Sequence, residues 1–177
     1  FMLKDDPADE EWLSGETANC GAEVICMDSL EPVTYGSGSP TLATVGEKKG
    51  WALDLNSQEQ VVTSAITIFG VVTFSTHEPA AVNLDPKVCT SSLGIARVYN
   101  IGYANAGLLT GRDSRFAVIP GGGLPPSPVA GMVTLDDGTT VPFCIGCDSK
   151  SPLKGGEPPP PIMANQPKSR VYWHIEQ

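Results

Sequence analysis

The chain has 177 residues and a net charge of −9, from 11 basic and 20 acidic side chains. The basic residues are scattered, with Lys48-Lys49 as the one adjacent pair, which excludes unspecific nucleic-acid binding because neutralising phosphate needs clustered Lys and Arg. Apolar runs stay well short of the ~18 residues that a membrane-spanning helix needs, so no transmembrane segment is predicted.

Gly (19) and Pro (16) are abundant, which favours many turns and few helices. Residues 1–49 read as irregular, beginning with a solvated acidic segment, Asp5-Asp6 and Asp9-Glu10-Glu11. Residues 23–27 are predicted to form a short strand that ends at Glu31-Pro32, since proline cannot donate to a ladder. Residues 51–55 alternate with period two, so Trp51, Leu53 and Leu55 share one face. Residues 61–63 and 65–69 form a strand pair or one bent strand, Gly70 is a hairpin glycine, and 71–76 form the next strand. After an insertion at 77–94, a strand spans 95–101 with Arg97, Tyr99 and Ile101 on one face. Residues 115–119 make another, and 121–128 a rigid Gly- and Pro-rich loop. Residues 129–135 follow, with Gly131 expected at a turn. Asp136-Asp137-Gly138 makes a hairpin turn, and 140–145 the return strand. Residues 148–169 are a polar insertion with Pro158 to Pro161 expected in polyproline II, and 170–175 a closing strand.

One pattern occurs twice. Gly70-Val71-Val72-Thr73-Phe74 precedes Arg97-Val98-Tyr99-Asn100-Ile101, and Gly131-Met132-Val133-Thr134-Leu135 precedes Arg170-Val171-Tyr172-Trp173-His174-Ile175. Repetition of a two-strand unit predicts an all-β fold of β-propeller blades with few or no helices. On this division residues 1–60 are the end of one blade with an irregular N-terminal segment, 61–118 a blade with an insertion carrying Cys89, and 119–177 the last blade with a Pro-rich insertion. Propellers close with ~4–8 blades, so the chain is expected to be the C-terminal part of a larger propeller. A first residue of Phe1 rather than Met agrees with that expectation.

Of the five cysteines, Cys20 and Cys26 form one close pair and Cys144 and Cys147 another. Local disulfides in an oxidising compartment are the simplest explanation. A zinc site and free buried thiols are the alternatives, but the two pairs lack the usual knuckle spacing and the two histidines are distant in sequence. Cys89 is unpaired in this scheme.

Chemistry-bearing motifs are sparse. His77 precedes Glu78-Pro79 at a strand end and reads as a loop residue; His174 reads as a strand-face side chain. Ser64 and Ser127 lack the Gly-x-Ser-x-Gly elbow of a nucleophile. Gly121-Gly122-Gly123 is a structural loop, because no Lys-Ser/Thr follows and Pro125, Pro126 and Pro128 forbid a phosphate-binding helix. Trp51 and Trp173 are expected in blade-to-blade core, whereas Trp12 could join them in an aromatic binding surface. No catalytic, cofactor-binding or metal residue is expected, and the chain is not expected to be an enzyme.

Several segments together resemble a known family. They are Gly50-Trp51-Ala52-Leu53-Asp54-Leu55, Glu59-Gln60-Val61-Val62-Thr63-Ser64, Gly70-Val71-Val72-Thr73-Phe74-Ser75-Thr76, Gly121-Gly122-Gly123-Leu124-Pro125-Pro126-Ser127-Pro128-Val129 and Lys168-Ser169-Arg170-Val171-Tyr172-Trp173. Their order is similar to the late blades of the type IV pilus-tip adhesin and biogenesis factor family (PilC/PilY type). The resemblance implies a non-enzymatic pilus-tip component, exported through the periplasm to the cell surface, that supports pilus assembly, counteracts retraction and mediates adhesion. It implies minor and major pilins, the other blades and a surface or host receptor as partners. That family carries a regulatory calcium loop, but this chain has no run of alternating ligands to match it; Asp136-Asp137-Gly138 lacks the later carboxylates. The Trp-x-Leu-Asp-Leu run also resembles quinoprotein-type blades, so a quinoprotein-like dehydrogenase fragment is the alternative.

Overall fold

A computed structural model describes residues 1–147 except 7, 8, 37, 39–41, 69, 81–91, 110 and 111, and the side chains of residues 42, 43 and 142. The elements run β1 (Met2–Leu3), α1 (Glu16–Cys20), a 3-10 turn (Met27–Ser29), β2 (Glu31–Thr34), α2 (Leu42–Glu47) and β3 (Gly50–Asp54). Then come β4 (Gln60–Val61), β5 (Ile66–Ile68), β6 (Val71–Glu78), β7 (Ile95–Gly102), β8 (Phe116–Ile119), β9 (Val129–Thr134) and β10 (Thr140–Ile145).

These strands form three small open sheets. The first has the order β1-β3-β2, the second β4-β6-β7-β8 with β5 also on β6, and the third is the hairpin β10-β9. The chain is therefore mixed α/β rather than all-β, and the sheets are not propeller blades. Two short helices, α1 and α2, accompany the strands. Helices of 5 and 6 residues are too short to show the 3.6-residue periodicity by which a sequence announces a helix. A parallel pairing of β2 with β3, Glu31↔Trp51 to Thr34↔Asp54, has no place in an antiparallel blade.

The apparent repeat has a local cause. In its first copy the two halves are neighbours, β6 pairing β7 at Phe74↔Tyr99. In its second copy the first half, β9, pairs with β10 at Val133↔Val141, and the second half lies outside the described residues. The glycines also differ. Gly70, at φ 78, lies in the tight turn between the paired Ile68 and Val71. Gly131 lies inside β9 rather than at a turn, opposite Phe143, whose ring would come within 2.9 Å of any Cβ there. Similar letters thus serve a turn in one place and an aromatic contact in the other.

Two further differences lie near the N-terminus. Residues 23–27 are turn and extended backbone leading into the 3-10 turn, not a strand. Pro32 lies within β2 rather than ending a strand; β2 is an edge strand, where a missing N–H is tolerated. The expected strand 170–175, the polyproline segment and Cys89 lie outside the described residues.

The main core is aromatic and joins the first two sheets. Val33, Val45, Trp51, Phe74, Tyr99, Ile101 and Ala106 form one buried cluster, with Leu53 and Leu55 packed against it. Phe74 stacks on Tyr99 with centroids 4.9 Å apart, and Phe116 tilts against Tyr99 at 5.4 Å; each such pair is worth about 0.5–1.5 kcal/mol beyond area burial. Trp51 Nε1 donates to the Tyr103 carbonyl at 2.8 Å, which ties β3 to the loop after β7. Arg115 is buried and acts as a further tie: its Nε donates to the Ala106 carbonyl at 2.6 Å and its Nη2 to the Gly38 carbonyl at 2.8 Å.

Candidate functional site

Strands β6 and β7 are buried along most of their length, yet they carry polar side chains inward. A polar group in such a place costs free energy unless it is paired, and here the groups pair with one another. Glu59, in the turn before β4, has no exposed side-chain surface. Its Oε1 accepts from Thr76 Oγ1 and from the Tyr99 hydroxyl at 3.0 Å. Its Oε2 accepts from the Asn56 N–H at 3.2 Å and lies 3.4 Å from Arg97 Nη1. The same Arg97 nitrogen donates to Glu78 Oε2 at 2.8 Å, and Asn56 Nδ2 donates to that oxygen at 3.2 Å.

Electrostatics follow from this geometry. The Arg97 hydrogen bond holds the Glu78 carboxyl below the usual range, with Asn56 adding to it. Burial works against the Arg97 charge, but the Glu78 hydrogen bond and the charges of Glu59 and Glu78 outweigh it and leave its pKa raised. Burial first, then the Glu59 charge, pushes the Tyr99 hydroxyl well above its ordinary value. Glu78, Arg97 and Tyr99 are thereby held in their ordinary neutral-pH forms.

The cysteines fall into two stapled places. Cys20 and Cys26 are joined by a disulfide, with Cα atoms 5.8 Å apart. Cys144 and Cys147 are joined likewise, with Cα atoms 5.7 Å apart. The second staple closes the short turn at the end of β10, and the Cys147 carbonyl accepts a 2.8 Å hydrogen bond from buried Asn100 Nδ2. Asn100 Oδ1 in turn accepts from Thr73 Oγ1 at 2.8 Å. A single asparagine on β7 thereby links the hairpin to the central sheet.

The hairpin projects an apolar face. Residues of equal parity share a face, so Val129, Val133 and Leu135 lie beside Val141, Phe143 and Ile145. Val129 is 57% exposed, Leu135 47%, Val133 43% and Ile145 41%. The opposite face carries Met132, 55% exposed, and the threonine pair Thr134 and Thr140, whose hydroxyls lie 3.1 Å apart.

The remaining candidates are dispersed. His77 lies within β6 rather than in a loop, and its Nε2 is 2.7 Å from the Leu93 carbonyl. Ser64 and Ser127 are exposed and belong to no cluster described above. Gly121, Gly122 and Gly123 all have positive φ in a loop after β8. The acidic residues Asp5, Asp6, Asp9, Glu10, Glu11 and Glu23 line a shallow open cleft of about 500 Å³. Trp12 borders it, but its ring is covered by Lys49 Nζ, 3.6 Å from the centroid, whereas Trp51 is core. Trp173 and His174 lie outside the described residues. Among the described residues no group of three or more His, Cys, Asp or Glu is placed to hold a metal ion, and no helix is long and apolar enough to cross a membrane.

Sequence reasoning missed Glu16, Glu59, Glu78 and Asn100 as partners of a buried polar framework, and read Arg97 only as a strand-face residue. For Arg97 and Asn100 the available signal was polar residues set among Val, Ile and aromatics in a largely buried strand, whereas Glu16 in α1 and Glu59 in a turn carried none.

Comparison with protein-family models, with curated proteins and with solved structures finds no match for this chain. The resemblance to the pilus-tip family is therefore not upheld. The described residues form three small open sheets and not the implied propeller, and with it go the pilus-assembly and adhesion function and the quinoprotein-like alternative, both of which depended on blades.

Proposed function

We propose that this chain is a non-enzymatic interaction module of an oxidising, extracytoplasmic compartment, and that it binds a partner protein on the apolar face of the β9–β10 hairpin. The observation that carries this reading is the run of Val129, Val133, Leu135 and Ile145, each more than two-fifths exposed on a two-stranded sheet. A contiguous apolar patch of this kind marks association surfaces, and a two-stranded hairpin is marginal in water without something packed on it. The partner docks on the face rather than along the β10 edge. The hydrogen bond from the Leu135 N–H to the Thr139 carbonyl sets the ladder so that position 142 turns its backbone nitrogen outward. That position is Pro142, which offers no donor to an added strand.

Two local disulfides support the compartment. The non-enzymatic reading is supported by the pairing of the Glu59, Glu78, Arg97 and Tyr99 side chains with one another, which leaves Arg97 Nε without a hydrogen-bond partner among the described residues. The net charge of −9 disfavours nucleic acid as the partner.

A photoreactive residue placed at position 133, and separately at 134, tests the docking face in the native compartment. Position 133 is expected to give one discrete protein adduct and position 134 none. No adduct at 133, or the same adduct from both positions, would refute the proposal.

A further inference from the structure

Helix α1 sets Glu16 and Cys20 one turn apart on the same face. The disulfide to Cys26 folds the following loop back, so that Ser29 comes to lie between them. Ser29 Oγ donates to Glu16 Oε2 and accepts the Cys26 N–H at 3.1 Å. It also lies 3.1 Å from Cys20 Sγ, against 3.9 Å for Cys26 Sγ. Glu16 and Ser29 are buried, at 6% and 1% exposure, whereas both cysteines are only half-buried. The single hydroxyl proton of Ser29 goes to Glu16, and a disulfide sulfur has no proton to give. In the oxidised chain the close Ser29–Cys20 contact is therefore not a hydrogen bond. In the dithiol, the Cys20 S–H would meet an oxygen already bonded to a carboxylate.

We propose that Cys20–Cys26 is an exchangeable disulfide, modified reversibly by a low-molecular-mass thiol, with Ser29 and Glu16 as the proton relay of Cys20. In the opening direction an external thiolate attacks Cys26 Sγ. The bond between Cys26 and the incoming sulfur forms, the Cys20–Cys26 bond breaks, and its electron pair leaves on Cys20 Sγ. Cys20 takes a proton from Ser29 as Ser29 takes one through Glu16 from water. In the closing direction Cys20 gives its proton to Ser29 Oγ while Ser29 gives its own to Glu16 Oε2. The Cys20 thiolate then attacks Cys26 Sγ and expels the thiol as its thiolate. A second equivalent of thiol, attacking the mixed disulfide instead, completes reduction to two protein thiols and one small-molecule disulfide.

Glu16 is held ionised first by the Ser29 hydrogen bond, with help from Asn19 and the charges of Lys49 and Lys48. Those lysines are anchored nearby, Lys48 Nζ on the Asp28 carbonyl at 3.0 Å and Lys49 Nζ on the Trp12 carbonyl at 2.6 Å. Glu23 and Asp28, in the same stretch of chain, are exposed. The other disulfide is a built-in contrast. Cys144 and Cys147 are buried at 8% and 6% exposure, and Cys144 Sγ lies against the Ile145 carbonyl, 3.8 Å away, rather than against an acid.

The test uses the full chain, with glutathione as the thiol. Alkylation and peptide mass analysis follow each disulfide separately. Glutathione is expected to open Cys20–Cys26 at least about tenfold faster than Cys144–Cys147, as exposure dictates. Closure from the glutathione mixed disulfide is then timed between pH 6 and 10. Glu16→Gln and Ser29→Ala are each expected to close about tenfold or more slowly at pH 7, an effect of the size of general-base assistance. That deficit should vanish towards pH 10, where the thiol ionises unaided, and Glu16→Asp should recover part of the rate. Equal opening of the two disulfides overturns the proposal. So does a closing rate that ignores both substitutions, or a deficit that persists undiminished at pH 10, which would mark a purely structural role. Should Glu16→Gln lose the native circular dichroism, Ser29→Ala and the comparison of the two native disulfides decide by the same criteria.

Discussion

Arg97 holds two carboxylates through one nitrogen, and this fixes much of what can be said at the scale of single residues. Removing one partner of a buried ion pair leaves the other charge uncompensated, at a cost of about 3–5 kcal/mol. Arg97→Ala should lose about that much in urea unfolding, because it strands Glu59 with no exposed surface; a loss below about 1 kcal/mol would show that the pair is already solvated. Ser75 presents the opposite case. Its hydroxyl is buried without a hydrogen-bond partner among the described residues, a state that costs about 1–3 kcal/mol. Ser75→Ala should therefore leave stability unchanged or raise it by about 1 kcal/mol, read from the same denaturant midpoint.

Acid acts on the same groups. Glu16 and Glu78 both have folded-state pKa values below their ordinary ones, so the unfolded chain binds more protons as the pH falls. The stability they contribute is fully present above the ordinary carboxylate range near about 4.3 and is lost as pH falls through their lowered values. Thermal midpoints should fall below that range in the wild type and fall less steeply in Glu78→Gln. A parallel decline in the two proteins would argue against the Arg97–Glu78 pairing. None of these partners was visible in the letters, since Glu59 and Glu78 follow no motif and meet Arg97 only through strand pairing.

Among elements, legibility depended on whether a local signal existed. β10 spans the predicted residues 140–145, because Asp136-Asp137-Gly138 announces the turn: the Thr139 N–H bonds Asp137 Oδ1 at 2.8 Å, and Gly138 supplies φ 83. Gly70 announces the β5–β6 turn in the same way. The face of Trp51, Leu53 and Leu55 does meet the core, since alternation records burial directly. What no local signal encodes is which strands pair. The parallel β2–β3 contact joins distant segments, and a strand–glycine–strand pattern reads alike in a hairpin and in a blade. The helices α1 and α2 owe their place to tertiary packing rather than propensity: Val45 of α2 enters the core, and Lys4 Nζ donates to the Val45 and Gly46 carbonyls, 2.5 and 3.1 Å away. At this scale Asn100 is the joint to break. Asn100→Ala removes two buried hydrogen bonds and should cost about 1–3 kcal/mol. Amide exchange should rise across 129–145 more than across β6. Uniform exchange through both would mean that the hairpin is held by something other than Asn100.

The molecule as a whole is a small mixed α/β structure whose buried charged groups are paired internally and whose β9–β10 hairpin presents one of its exposed apolar faces. That division is the basis for placing association at β9–β10 rather than chemistry at β6–β7. The most direct measurement is the stability of the double substitution Val133→Ser with Leu135→Ser in the full chain, set beside adduct formation by a photoreactive residue at position 129. Exposed positions tolerate such changes within about 0.5 kcal/mol, so the account predicts an unfolding free energy near that of the wild type together with loss of the adduct. A loss of about 2 kcal/mol or more, the size expected for polar groups forced into a packed interior, would contradict it, because the face would then belong to the core of the chain itself.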